Sequence, residues 1–399
     1  MGRADRARST RHTGGVTFDL DALRRRPDFE APELRAWDAA DTLMLDSAPW
    51  GEPAASDVVV IGDGYGALTL GALDRGALHH RGSSVRVHQD SIAGELALAA
   101  NGAEQGTPAT AYRSLPLGRE LVDGATLVLL RLPRSLDALD EIAALVAAHA
   151  DPSVRVIAGG RLKHMSVSMN EVLARRFGRV DVSHARQKSR LLIASEPTPS
   201  APVEPRREFH PDLDLWVVAT GGVFAGTSID IGTRAMLAAF DEQARLEHVP
   251  RFERAVDLGC GTGVLAASLV RMRPGAHVLA SDASAAAVAS SALTMEANGL
   301  DVEVRREDAL SGVDAASIDL VVLNPPFHTG AAVDSRVSTR LFEAAARVLR
   351  PGGELWTVWN SHLGYKPAMR AIVGQTREVA RTAKFTVTAS TRSASTRRG

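Results

Sequence analysis

A glycine turn that occurs twice constrains this chain more than any other feature. In the first half the apolar run 58–61 is followed by Gly62, Asp63, Gly64, Tyr65, Gly66, Ala67 and Leu68. In the second half the run 255–258 is followed by Gly259, Cys260, Gly261, Thr262, Gly263, Val264 and Leu265. Aligned, the glycines coincide and Leu68 falls on Leu265. Each run reads as strand, turn and helix start, where glycines let the backbone approach a ligand at a helix N-terminus. The turn alone names no ligand, because nucleotide and flavin sites use similar ones. Strand and helix patterns alternate around both turns, which calls for a sheet covered by helices, twice over.

In the first half, strands are expected at 85–88 (leading to Asp90), 127–130, 154–157 and 191–194. Helices are expected over 34–45, in a segment ending at Asn101 and Gly102, and over 136–149 and 170–177. In the second half, 213–219 and 221–224 read as a hairpin, 226–232 as a loop and 234–240 as a helix. Strands at 277–281, 302–306, 320–323, 354–358 and 384–388 and a helix at 338–349 follow, with fraying from about Ser390. Glu196 to Pro205 holds Pro197, Pro199, Pro202 and Pro205 and reads as an extended linker. The expected division is a basic disordered arm (1–20), a first domain (21–195), a linker (196–210), a second domain (211–390) and a basic tail (391–399).

The chemistry concentrates where the run 320–323 meets Asn324, Pro325, Pro326, Phe327 and His328. Two prolines stop the strand in a rigid loop. Asn324 offers a side-chain carbonyl and Pro325 a backbone carbonyl outside any ladder. These two acceptors match the two N–H donors of a planar exocyclic amine, such as guanine N2 or adenine N6, and Phe327 offers a face to its ring. Strand-end loops also use Asn and Pro for structure alone, so the weight comes from upstream. Asp257 precedes the second glycine turn, Asp282 ends the next strand where a doubly wound sheet places an acid on ribose hydroxyls, and Asp308 ends the one after.

The first copy departs at these positions. Val60 stands for Asp257, and Arg131, Leu132 and Arg134 stand for Asn324, Pro325 and Phe327. Arginine only donates, so this copy is silent as an amine site, and its glycines serve either the fold or residual cofactor binding. Arg131 and Arg134 match phosphates geometrically; the alternative is that both are solvated.

The order of these parts resembles the class I methyltransferases that use S-adenosylmethionine. The resemblance implies that Asp257, Gly259, Gly261 and Gly263 bind the methionine end, that Asp282 with Ala283 holds the ribose, and that Asp308 with Ala309 meets the adenine. Asn324 would border the cofactor and, with Pro325, Pro326 and Phe327, handle the amine being methylated. Gly222, Val223 and Phe224, then Asp230, Ile231 and Gly232, and Asn-Pro-Pro-Phe-His at 324–328 narrow the likeness to the ribosomal RNA guanine-N2 methyltransferases, which double the fold. Residues 36–41 and Ser361, His362 and Leu363 look like those acting on large-subunit 23S rRNA. The implied fold is α/β, with two tandem Rossmann-like methyltransferase domains, each a doubly wound mixed sheet, the first degenerate. Phe224, Asp230, His328 and His362 become candidate substrate contacts beside Arg131 and Arg134, with Thr227 next to them. The implied partner is ribosomal RNA or an assembly particle, met by a monomer. No metal is implied, since the cofactor carries the activated group.

Composition limits the alternatives. A net charge of −1 over 399 residues announces no global basic field, so RNA contact must be local. Both termini are Arg-rich, as solvated tails or as phosphate contacts. The single cysteine, Cys260, cannot form an internal disulfide, which points to the cytoplasm. It also lies in the glycine turn, which disfavours cytosine C5 methylation through a thiolate. No apolar run approaches the roughly 18–20 residues of a membrane span. The rivals are methylation of adenine N6 or a glutamine amide, where Tyr more often stands in place of Phe327, methylation of a small-molecule amine, and a non-catalytic RNA-binding assembly factor.

Overall fold

A computed structural model describes residues 18–50, 57–76, 84–199, 201–246, 248–325 and 331–393, with side chains undescribed over 331–335. Pro326, Phe327 and His328 lie outside the described residues.

The first domain contains strands β1 (Val58–Ile61), β2 (Val85–His88), β3 (Tyr112–Ser114), β4 (Leu127–Arg131), β5 (Arg155–Arg161), β6 (Phe177–Val182) and β7 (Ser189–Pro197). Its helices are α1 (Ala39–Ser47), α2 (Ala67–Asp74), α3 (Ile92–Glu104), α4 (Arg119–Val122), α5 (Leu136–His149) and α6 (Val167–Ala174). A hairpin, β8 (Arg206–His210) and β9 (Leu215–Ala219), leads into the second domain. There α7 (Ile231–Arg245), β10 (Arg254–Leu258), α8 (Val264–Met272), β11 (His277–Asp282), α9 (Ala285–Asn298), β12 (Glu303–Arg306) and β13 (Ile318–Leu323) follow. The chain closes with α10 (Ala331–Val348), β14 (Leu349–Asn360), α11 (Lys366–Ile372), β15 (Thr376–Arg381) and β16 (Phe385–Thr391).

Both sheets have seven strands in the same order, β3-β2-β1-β4-β5-β7-β6 and β12-β11-β10-β13-β14-β16-β15. Pairing is parallel except around β7 and β16, so both sheets are mixed as expected. Central strands are buried on both faces, which explains their unbroken apolar runs. Val58 and Val60 enter one core and Val59 and Ile61 the other, the two-residue alternation of a strand. In the second domain Ala255 likewise faces one core while Val256 and Leu258 face the other.

Register fixes the equivalence of the copies. Ile61 pairs with Leu130 as Leu258 pairs with Leu323, so Arg131 and Asn324 occupy one position. The strand ends of the domains meet through an antiparallel bridge, Ser91 to Ser284. Ile92 N–H donates to the Ala283 carbonyl (2.9 Å) and Ala285 N–H to the Asp90 carbonyl (2.8 Å). The Asp90 carboxylate accepts from Ser284 Oγ (3.0 Å) and Ala286 N–H (2.9 Å), so the first domain helps cap α9. Arg306 reaches back to the Gln89 carbonyl and Glu95, both at 2.6 Å.

Several boundaries differ from the sequence expectation. α1 begins at Ala39 because Asp38 and Asp41 form a reciprocal capping box. α7 begins at Ile231 because the Asp230 carboxylate caps it. The hairpin pairs 206–210 with 215–219, so residues expected in the linker are strand and 221–224 is a turn. Phe177 opens the edge strand β6 rather than closing a helix, and β3 was also unanticipated; both strands are largely solvent-exposed and lack a clean apolar pattern. Ser390 and Thr391 pair with Leu355 and Glu354, so the second domain runs past its expected end. Phe18 and Leu20 pack against the first core, inside the expected arm.

Candidate active site

The site is built on the strand ends of β10, β11 and β13. Gly259, Gly261 and Gly263 have φ of 75°, 54° and 80°, the left-handed region that favours glycine. Gly263 also has no room for a side chain, since a Cβ would lie 2.7 Å from Met295 Cε. Side-chain positions at Gly259 and Gly261 meet nothing within 4 Å, so the turn presents an open face.

Acids brace this turn. Asp257 is buried; its Oδ2 accepts from Ala266 N–H (3.0 Å) while its Oδ1 has no hydrogen-bond partner. Burial pushes its carboxyl up to about 7, against the Ala266 hydrogen bond and with help from the charge of Asp282. Asp282 accepts from Ser284 N–H (2.9 Å) and Gly261 N–H (3.1 Å), which ties the end of β11 to the glycine turn. Burial also raises its carboxyl, moderated by these bonds. Ala283 sits at the domain bridge through its carbonyl. Asp308 pairs with Arg340 on α10, a partner the sequence did not reveal. Ala309 and Leu310 follow with left-handed φ of 48° and 59°, a strained backbone at the rim.

Asn324 ends β13 beside the start of α7. Its Nδ2 donates to Asp230 Oδ2 (2.9 Å) and to Thr233 Oγ1 (3.1 Å). The carboxylate of Asp230 also accepts from Gly232 and Thr233 N–H, and a carboxylate can only accept. The amide nitrogen must therefore face Asp230, leaving Asn324 Oδ1 buried without a partner. Asp230 acts through Asn324, and Thr233 is a site residue that sequence reasoning missed. A three-residue helical spacing from the cap was its only signal. Gly232 makes room: a Cβ there would lie 2.9 Å from Asp230 Oδ2 and 3.0 Å from Asn324 Oδ1. Pro325, which follows Asn324, is buried.

The other candidates sit elsewhere or play other parts. Phe224 and Ile231 are 62% and 61% exposed near the entrance to α7. His362 lies in the exposed turn Ser361–Leu363 with Nδ1 bonded to Asn360 Oδ1 (2.9 Å). Thr227 hydroxyl donates to Glu208 (2.6 Å). Arg131 is not open to phosphate: its guanidinium donates to Asp38 (2.8 and 3.0 Å) and Asp41 (2.7 Å). Burial raises the Asp41 carboxyl to about 6 although Arg131 opposes this, whereas at Asp38 burial is outweighed by the Arg131 hydrogen bonds and charge, the Ala40 N–H and the charge of Arg161 together, which hold the carboxyl below its usual range. Arg134 remains exposed.

Arg131 also crowds the first glycine of the first copy's turn, whereas a side-chain position at Gly64 meets nothing within 4 Å. A Cβ on Gly62 would lie 3.2 Å from Arg131 Cβ, and one on Gly94 of α3 would lie 2.9 Å from the Gly64 carbonyl. Gln89 Nε2 donates to the Asp63 carbonyl (2.6 Å), and the Asp63 carboxylate takes Gly66 N–H and both donors of Thr69.

A doubled seven-stranded sheet with an open, acid-braced glycine turn and a buried, unpartnered Asn324 Oδ1 before Pro325 defines a two-domain class I methyltransferase. Residues 214–389 match the Methyltransferase small domain and residues 15–199 the RLMG N-terminal domain. The ribosomal RNA large subunit methyltransferase G of Streptomyces avermitilis is 36% identical, covering 92% of this chain and 95% of the relative. The protein of that name from Pseudomonas fluorescens is 33% identical, covering 92% and 96%. The chain belongs to this family, and its cofactor is S-adenosylmethionine. A solved T. thermophilus 16S rRNA N2 guanine methyltransferase, in complex with AdoMet and guanosine, superimposes with a TM-score of 0.71 at 24% identity over 96% of both chains and supports the fold. Among the described residues no helix is long and apolar enough to cross a membrane, and no group of three His, Cys, Asp or Glu side chains could hold a metal ion.

Proposed function

We propose that this chain methylates the exocyclic N2 amine of a guanine in 23S ribosomal RNA, acting as a cytoplasmic monomer on the RNA or on an assembly particle. The observation that carries this reading is the orphaned Asn324 Oδ1, a buried acceptor aimed away from the two groups that fix its amide. A buried polar atom without a partner is costly, and an incoming N–H donor removes that cost. The names of the relatives supply the substrate class.

Bound S-adenosylmethionine supplies a methyl group activated on a sulfonium. The open turn at Gly259 and Gly261 and the unpaired Asp257 Oδ1 suit a large polar ligand at this place. In this reading Asp257, Gly259, Gly261, Gly263, Asp282, Ala283, Asp308 and Ala309 hold it, and Arg340 steadies Asp308 through Oδ2. The target nitrogen's lone pair is delocalised into its ring. Acceptance of both amine hydrogens by Asn324 Oδ1 and the Pro325 carbonyl favours a pyramidal nitrogen and stabilises positive charge developing on it. No side chain need remove a proton before transfer.

The test is Asn324→Ala, assayed on unmodified large-subunit ribosomal RNA. Turnover should fall by roughly two to three orders of magnitude, as when one preorganised polar group is removed, with cofactor affinity by calorimetry retained. Wild-type turnover in the variant would remove Asn324 from the chemical step. Mapping the labelled base separates guanine N2 from adenine N6.

A further inference from the structure

The two copies touch at equivalent corners. Ile61 pairs with His88 as Leu258 pairs with Ser281, so Gln89, Asp90, Ser91 and Ile92 stand where the second copy has Asp282, Ala283, Ser284 and Ala285. The bridge between the domains joins Ser91 to Ser284. Its backbone bonds, Ile92 N–H to the Ala283 carbonyl and Ala285 N–H to the Asp90 carbonyl, exchange these same positions. The backbones meet as near-symmetric partners, but the side chains break the symmetry. Asp90 carries a carboxylate where the second copy has only the methyl group of Ala283, so the capping runs one way, from the first domain onto α9.

The start of α9 divides its N–H donors between two acids. Ser284 N–H goes to Asp282 Oδ1, while Asp282 Oδ2 takes Gly261 N–H. Ala285 and Ala286 N–H go to the carbonyl and Oδ1 of Asp90. Ser284 Oγ donates to the same Oδ1, which leaves it oriented to accept from Ala287 N–H (3.1 Å). One residue of the first domain thus fixes the turn on which the Asp282 carboxylate rests. Arg306 braces that residue from β12, donating to the Asp90 carbonyl at 3.0 Å, two positions before Asp308.

Docking of the domains is already served by the backbone bridge and by Arg306 with Glu95. The Asp90 carboxylate adds bonds to the turn after Asp282. It works there as an acceptor rather than as a charge. Burial is the main cause that raises the Asp282 carboxyl, and the Asp90 charge adds to it, against the bonds from Ser284 and Gly261.

We propose that Asp90 is a positioning residue for the cofactor: by holding Ser284 and the start of α9 it sets the Asp282 carboxylate against the ribose, so cofactor affinity in the second domain depends on a side chain of the first. It rests on the reading above that Asp282 helps to hold the cofactor, and deepens it.

The test uses the full chain with Asp90→Ala, an exposed position whose truncation opens no core. S-adenosylmethionine affinity by calorimetry should fall about tenfold, and KM for the cofactor should rise by the same factor. At saturating cofactor, kcat on a large-subunit ribosomal RNA transcript should be unchanged. Asp90→Asn keeps the acceptor for both donors and should bind within about twofold of wild type. Arg306→Gln, which loosens the same loop without removing the cap, should weaken affinity in the same direction and decides the matter if Asp90→Ala fails to fold. A folded Asp90→Ala chain with lowered stability but unaltered affinity and KM overturns the proposal and leaves Asp90 as a docking contact. Asp282→Ala separates the two readings. If it binds the cofactor as tightly as wild type, the ribose assignment falls and the positioning role with it; if it binds weakly while Asp90→Ala binds normally, only the positioning role falls.

Discussion

Asn324 and Arg131 stand at the same position at the ends of equivalent strands, each beside the start of a helix, yet one leaves the first glycine of its turn open and the other crowds it. In the second domain Asp230 and Thr233, at the cap and third position of α7, take the amide nitrogen of Asn324 and leave its oxygen buried without a partner. In the first, Asp38 and Asp41 hold the same two places on α1 and neutralise the Arg131 guanidinium. Gly259 then meets nothing within 4 Å, whereas Gly62 lies under Arg131. A helix-cap carboxylate is therefore a reusable device. A neutral partner leaves an acceptor free for a ligand, while a charged partner plugs the site. This packing favours a role in the fold for the first copy's glycines.

The most damaging way to test the comparison is to transplant the plug. Asn324→Arg with Thr233→Asp should abolish S-adenosylmethionine binding in calorimetry and lower methyl transfer by about three orders of magnitude or more. Retained cofactor binding would show that an arginine at this position does not exclude the cofactor.

Removing the native plug should act on stability instead. Arg131→Ala leaves Asp38 and buried Asp41 without their cation, at a cost of about 2–4 kcal/mol, below the largest values for such losses because Arg131 is 27% exposed. Urea unfolding measures this, and adding Asp41→Asn should recover part of it. Turnover per folded molecule should stay near wild type.

Gly232→Ala is a smaller perturbation of the open site. Alanine is the better helix former by roughly 1 kcal/mol, but its Cβ would press on Asp230 and Asn324. Turnover should drop roughly ten- to a hundredfold through misplacement, with cofactor affinity unchanged. An unimpaired variant would mean that the orientation of Asn324 tolerates displacement.

A pH dependence of stability is also expected from the second copy, where Asp257 replaces Val60. Its folded pKa of about 7 lies above its ordinary 3.8, so its contribution to stability is complete below about pH 4 and is lost as pH rises through 7. The unfolding free energy of Asp257→Asn minus that of wild type should widen between pH 4 and 7 and then level. A flat difference would show that Asp257 ionises normally in the fold.

The sequence by itself determined the doubled architecture and the correspondence of Arg131 with Asn324. Strand alternation, glycine turns and the proline stop are local, and each reads from a few neighbouring residues. It also brought forward Asp257, Asp282, Asp308 and Asn324, because strand ends in a parallel sheet converge on one edge. What those residues touch was decided by tertiary structure. Asn324 meets Asp230 and Thr233 across 94 and 91 positions, and Arg131 meets Asp38 and Asp41 across 93 and 90. A sequence shows that arginine donates but not to what, so Arg131 looked open to phosphate until α1 was packed beside it. The same reason hid Arg340 behind Asp308 and Asp90 beneath α9. Hydrogen bonds and ion pairs between distant segments leave no periodic trace in the chain, and only packing brings their two halves within 3 Å.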